Sequence, residues 1–535
     1  MAAMVFTLQR YIFAELMKVF VLATIALTLM LTLGLLIQNV QEFGVGPEQA
    51  IHLLGYLIPI TLTFVLPMGA LFASALIYGR FASDNELNAC RASGVSLTTL
   101  IYPGLCLAIA VATTTLILSF HVVPSFVLRA EKSLKSNFKQ ILFRNVQRKG
   151  YYTLPGKRYR LYADTAYPEE DMLSGVIVTD SKKGRITKII TAETARVEID
   201  THRSFNEVRV AALEAYQISP LGQDYSKELA FSNRAPSLLS DSVKFQKMDR
   251  IKKIKQDMTE YYPIGEIARG VQAQLAIEML SEQVAARISA EEKPYYSLSN
   301  EDITIRFTAG DCQVKTSTQN PTIELVGPIR LDVVSNIFGK RMYLYDSNRG
   351  QIRLEDESID AELILILYDA DWLREDGVKY VAPRRVFRNL ILPENITASL
   401  GRLGSVGNDG FFASVLKNPP SGKLAGLRKE LLRKCSVTTN EINAEIHSRL
   451  VFGIGCIALT LVSIALGIMF RGGHLLSAFG ASSIPAGALT VCIMAGKDLT
   501  KNIATSASVG ISVMWAGLLA LSILTMIIYR KLLKT

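Results

Sequence analysis

The chain has little of what chemistry at a protein site usually requires. Its five histidines, His52, His121, His202, His447 and His474, share no metal-ligand spacing. Its six cysteines form neither a CxxC pair nor a disulfide ladder. Only Cys312 and Cys435 fall where two thiols could meet outside the apolar segments, and the sequence leaves their pairing open. There is no GxxxxGK[ST] phosphate loop, so the chain is not expected to hydrolyse ATP by itself. No GxSxG elbow presents a serine nucleophile. The run Gly453-Ile454-Gly455-Cys456-Ile457-Ala458 fits a GxGxxA pattern, but it lies in an apolar stretch with no strand before it. Small residues in that setting let helices pack closely. The sequence therefore offers no catalytic, metal or cofactor site.

Charge is also scarce. Only 20% of residues are charged against 49% hydrophobic, and the mean hydropathy is +0.26, which excludes a wholly soluble chain. The apolar residues gather in six runs at the two ends, about 19–37, 51–78, 97–123, 450–470, 475–495 and 509–529. Each is long enough to cross a bilayer as a helix. The expected organisation is an N-terminal membrane half over 1–128, an external domain over 129–420, and a connecting helix with the C-terminal membrane half over 421–535. Arg10, Lys18, Arg80, Arg91, Arg471, Arg530, Lys531 and Lys534 flank the span ends that are cytoplasmic if both termini are inside. The central domain then lies outside. With no small-residue cleavage pattern, the first span reads as a retained helix. The net charge of +10 is largely these anchors, and no basic-aromatic platform suggests nucleic-acid binding. A row of ionisable residues at mid-membrane depth, the mark of an ion-driven carrier, is missing. His121 reads as interface-facing, and Lys497 and Asp498 as snorkelling to the outer boundary.

The central segment alternates as half-buried strands do. Tyr159, Leu161 and Ala163 interleave with Arg160, Tyr162 and Asp164, and later runs repeat the pattern. Many short strands with polar turns imply a sandwich, jelly roll or open barrel. Residues 263–292 lack alternation and read as a helix inserted in this β domain. In Ala361-Glu362-Leu363-Ile364-Leu365-Ile366-Leu367-Tyr368 both faces are apolar, which suits a strand covered on two sides. Pro59 and Pro67 should kink the second span.

The most informative stretch is a polar island between the second and third spans. It covers residues 79–96 and carries Arg80, Asp84, Asn85, Glu86 and Arg91. A membrane anchor needs the arginines but not the acids. A charged helical turn at the cytoplasmic surface is something a membrane protein can offer to a soluble partner. Beyond the third span, Arg129, Lys132, Lys135 and Lys139 recur at spacings of three and four, one face of a continuing helix.

The island also carries a resemblance. Leu66-Pro67, Gly79-Arg80-Phe81, Asp84-Asn85-Glu86-Leu87, Ala89, Arg91-Ala92-Ser93-Gly94 and Ser96-Leu97 closely resemble the YjgP/YjgQ family, the LptF- and LptG-type permeases of lipopolysaccharide export. Arg10-Tyr11-Ile12-Phe13-Ala14-Glu15 is similar to that family's opening helix, and Ile190-Thr191-Ala192-Glu193-Thr194-Ala195 to its strand motif. Glu445, His447, Arg449, Leu466-Gly467-Ile468 and Arg471-Gly472-Gly473 continue the match. The insert at 263–292 and the run Ala495-Gly496-Lys497-Asp498-Leu499 depart from the family.

The resemblance implies an α-helical membrane protein of six transmembrane helices, three on each side of a large all-β, jellyroll-like periplasmic domain. It implies a non-catalytic permease of an inner-membrane ABC-type exporter, with both termini cytoplasmic. Its partners would be an LptB-type ATPase dimer that uses the ATP, a second LptF/LptG-type permease, an LptC-type jellyroll protein and lipopolysaccharide. Arg80, Asp84, Asn85, Glu86 and Arg91 become candidates for coupling to the ATPase. Arg129 and Lys132, nearest the membrane, become candidates for lipid phosphates, against an ordinary solvated helix face. The competing readings are a secondary lipid transporter and a membrane-anchored envelope scaffold.

Overall fold

The structure is a computed structural model. It describes residues 2–43, 47–136, 138–154, 159–182, 185–201, 205–219, 222–236, 243–290, 295–315, 321–337, 339–354, 362–373, 379–401, 421–470, 475–502 and 506–534. Contacts group the chain into two compact units, residues 1–252 with 437–535, and residues 253–436.

The first unit holds most of the long apolar helices. They are α1 (Ala2–Phe43), α2 (Pro47–Ser83), the short α3 (Glu86–Ala92), α4 (Leu97–Ile117), α10 (Gly422–Met469, whose first turns belong to the second unit), α11 (Leu475–Lys501) and α12 (Ala507–Lys534). Among the described residues, six stretches are long and apolar enough to cross a membrane: Phe6–Ile37, Leu54–Ser83, Leu97–Ala130, Gly422–Met469, Ser477–Lys501 and Ala507–Leu533. Leu22, Ile25, Leu29 and Met30 on α1, and Leu519, Ile523 and Met526 on α12, are exposed, as lipid-facing side chains should be.

Pro59 and Pro67 lie inside α2, and a third, Pro103, lies inside α4. Pro103 has no N–H for the Thr99 carbonyl. Next to that gap the Tyr78 hydroxyl inserts into the ladder, donating to Leu100 O at 2.9 Å and accepting from Gly104 N at 3.2 Å. Beyond α4 the helix passes through a π-helical turn, Leu118–Val122, into α5 (Val123–Ser136), followed by α6 (Phe138–Lys149). Helices α2 and α10 touch through their backbones. A Cβ on Gly467 would stand 2.9 Å from Ala75 O and 3.1 Å from Gly79 N, so only glycine permits the approach.

The first β-sheet belongs to this unit and is antiparallel throughout, in the order β1-β2-β4-β5-β6-β7 with β3 on β4. Its strands are β1 (Tyr151–Thr153), β2 (Tyr159–Tyr162), β3 (Thr165–Tyr167), β4 (Met172–Lys182), β5 (Arg185–Thr201), β6 (Phe205–Ser219) and β7 (Gly222–Pro236). Leu161, Val178, Ile190 and Val197 of this sheet are buried, and Phe138, Leu142 and Val146 of α6 join them in a single core.

The second unit carries a second seven-stranded antiparallel sheet, β14-β13-β12-β11-β9-β8 with β10 on β11. The strands are β8 (Tyr296–Ser299), β9 (Ile303–Thr308), β10 (Asp311–Lys315), β11 (Thr322–Ser335), β12 (Arg341–Leu354), β13 (Leu363–Leu373) and β14 (Lys379–Leu390). Leu363 to Leu367 are all buried, on both faces of β13, while Ala361 lies outside the described residues. Helix α7 (Met248–Gln256) precedes the 27-residue α8 (Tyr262–Ile288), and α9 (Glu394–Gly401) follows β14. Cys312 and Cys435 are not joined in a disulfide. The Cys312 sulfur instead approaches Ser281 O of α8 at 3.5 Å, and burial pushes its thiol pKa up.

Candidate functional site

The polar island is a seven-residue helix hung from the end of α2. Helix α2 stops because Asn85 takes a left-handed conformation (φ 59°), which asparagine tolerates better than most residues. Its Oδ1 accepts from Asn88 Nδ2 at 2.9 Å. Only Leu87 of α3 is buried, in one cluster with Ile12, Phe81 and Leu97. Gly94 and the Ser96 cap, whose Oγ accepts from Thr99 N, then start α4.

The five island residues separate into two groups. Arg80 is committed inside the molecule: Nη2 lies 3.4 Å from Glu15 Oε2 of α1, and its guanidinium stands 5.4 Å from the centre of the Phe81 ring. Glu15 also pairs with Lys18 at 2.8 Å, and Phe81 stacks on Tyr11. Asp84, Asn85, Glu86 and Arg91 are exposed, and the three charged ones make no ion pair among the described residues. Helix α3 thus anchors by one leucine and turns its charges outward. Beside them, burial and then the Glu86 charge push the Cys90 thiol pKa up.

Of the four basic residues after the third span, the structure describes the side chains of Arg129 and Lys139. Arg129 is exposed near the middle of α5, its guanidinium over the Phe126 ring. The side chains of Lys132 and Lys135 lie outside the described residues. Lys139, in α6, pairs with Asp171.

A second site was not legible in the sequence. In the first unit, α2, the π turn, residues 244–245, α10 and α11 surround a cavity of about 670 Å³. Its walls are apolar, with Phe64, Met68, Leu71, Phe452, Phe479 and Ile493, while Lys244, Glu445, Arg449 and Lys497 form a charged rim. Glu445 and Arg449, one turn apart on α10, are nearly buried, with 10% and 6% side-chain exposure. Arg449 Nε donates to Glu445 Oε1 at 3.2 Å, and Lys497 Nζ of α11 donates to Glu445 Oε2 at 2.5 Å. Lys501 and Glu441, 3.8 Å apart, brace the same two helices. The reading of Lys497 as a snorkelling boundary residue is therefore corrected. Its ammonium turns inward because α10 supplies a carboxylate that would otherwise be buried beside a single cation. The i,i+4 spacing of Glu445 and Arg449 was the available signal; the partner 52 positions later was not.

These features define a class: a polytopic helical membrane protein with an antiparallel β segment, a charged exposed turn and a cavity within its span bundle. The family described as lipopolysaccharide export system permease LptF/LptG matches residues 10–275, from the first span through the first sheet into α8. The chain belongs to the LptF/LptG family. No curated protein matches it closely enough to be counted as a relative.

Proposed function

We propose that this chain is the transmembrane permease subunit of an ABC-type exporter that takes lipopolysaccharide from the inner membrane and passes it to a periplasmic bridge. The observation that carries the reading is α3, whose exposed Asp84, Glu86 and Arg91 make no ion pair among the described residues while Leu87 fixes the helix to the bundle. Such a helix can dock in a groove of an LptB-type ATPase dimer and pass on its closure as rigid-body motion. ATP is used there, and this chain contributes no catalytic group. The termini lie in the cytoplasm and the β segment in the periplasm, beside a second permease and an LptC-type jellyroll protein.

The cavity suits the same substrate. An amphipathic glycolipid needs apolar walls for its acyl chains, at about 0.8 kcal/mol per buried CH₂. It also needs a cation for its phosphate. Lys497, with 24% side-chain exposure at the rim, is that cation, and Arg129 and Lys132 are further phosphate contacts along α5.

Glu86→Ala and Glu86→Arg test the coupling. Both variants should insert normally, and ATPase copurification should fall by at least about thirtyfold, as when one member of a docked charge pair is removed. Undiminished copurification and export in both would refute the assignment. The buried Glu445–Lys497 pair favours a second reading, an ion-driven lipid carrier. Export from ATP-loaded proteoliposomes that persists under ionophores excludes it.

A further inference from the structure

The π turn leaves one backbone carbonyl without a partner. Val123 N–H, which in an α-helix would serve Ser119 O, bonds to Leu118 O instead. The next residue that could serve Ser119 is Pro124, which has no N–H. An orphan carbonyl away from water is costly, and this half-buried one is taken by Arg449 Nη1 at 3.1 Å. The second terminal nitrogen, Nη2, donates to Lys244 O at 2.6 Å in the segment that follows the first sheet, and the guanidinium lies over the Phe120 ring. With Nε on Glu445, one arginine joins three parts of the chain that are 330 and 205 positions from it or one turn away.

We infer that Arg449 is a positioning residue for the substrate anion. It fixes Glu445 Oε1, Glu445 Oε2 fixes the Lys497 ammonium at the cavity rim, and the carbonyls of Ser119 and Lys244 fix Arg449. The placement of Lys497 is thereby tied to the π turn and to the foot of the β segment. Arg449 itself is spent on protein groups and does not contact the lipid. This inference rests on the reading of the cavity as the site of a phosphate-bearing lipid.

The test uses the full chain in phosphatidylcholine nanodiscs, with lipid A and its dephosphorylated form as probes. The ratio of the two retained measures phosphate recognition, and thermal unfolding is followed in parallel. Lys497→Gln should remove most of the preference for the phosphorylated form, leaving what Arg129 and Lys132 supply. Arg449→Gln should lower it about tenfold, within the usual range of coupling between linked groups. The double variant should be no lower than Lys497→Gln alone, because both act through one ammonium, whereas a direct charge effect would add. Pro124→Ala in the Arg449→Gln background supplies an N–H for Ser119 O. It should raise the melting temperature and leave the ratio low. A wild-type ratio in Arg449→Gln, with only the melting temperature reduced, would make Arg449 a structural pin and overturn the inference. If Arg449→Gln does not fold, Arg449→Lys, which cannot span all three partners, decides in the same way. A wild-type ratio in Lys497→Gln instead overturns the reading of the cavity, whatever Arg449 does.

Discussion

Glu86 acts on its own helix as well as on any partner, because its charge lies beside Cys90. Burial, then Glu86, raises the Cys90 pKa, so the thiol form is favoured. Below the raised pKa the thiolate is scarcer than in an ordinary cysteine, and it recovers only as pH climbs through that value. Maleimide should therefore label Cys90 more slowly than a free thiol at neutral pH, with a rate profile displaced to higher pH. Glu86→Gln should shift the profile part of the way back; identical profiles would show that burial alone sets it. That Asp84, Glu86 and Arg91 are exposed was legible from their charge. The inward role of Arg80 was not, since its partner Glu15 sits 65 positions earlier and hydropathy treats both as ordinary span-end charges.

A seven-residue helix has too few hydrogen bonds to persist alone in water. Helix α3 exists because Leu87, 4% exposed, is held in the cluster of Ile12, Phe81 and Leu97. Leu87→Ala should cost about 2–5 kcal/mol at that contact. Faster amide exchange confined to residues 86–92, with the spans still protected, would show it; a uniform loss of protection would argue against local anchoring. Among the longer elements, the spans were readable from length and apolarity, and α2 runs unbroken through Pro59 and Pro67. After the third span, periodicity grouped Lys139 with three other basic residues and gave no sign that it is committed to Asp171. Helix α6 packs Phe138, Leu142 and Val146 over the first sheet, which carries Lys139 to Asp171.

The molecule divides into two compact units, each with its own sheet, and each sheet has its own buried residues. Val178→Ala, in the core beneath α6, should loosen the first sheet, with amide protection in β11 to β13 unchanged. Loss of protection in both sheets together would show one cooperative unit. At this scale the sequence announced six spans and many strands, since both follow from local periodicity. It did not announce the charged node at the cavity, which depends on four segments meeting in space. Its absence from the sequence reading also explains why an inventory of intramembrane charge looked empty: the ionisable residues sit at the ends of apolar runs, where composition counts them as flanks.

The glycine contact between α2 and α10 has a mechanical consequence. Where two backbones touch there is no side chain to change rotamer, so the helices cannot part there without opening a void. They can only turn about that point, which makes Gly467 a fulcrum. Gly79, on the other side of it, lies one turn before the end of α2. Arg449 is 18 residues up α10 from Gly467, a lever arm of about 27 Å at 1.5 Å per residue. A tilt of about 5° at the fulcrum would sweep the Arg449 end through on the order of 2 Å. That is enough to break a hydrogen bond at the rim while the pivot itself scarcely moves.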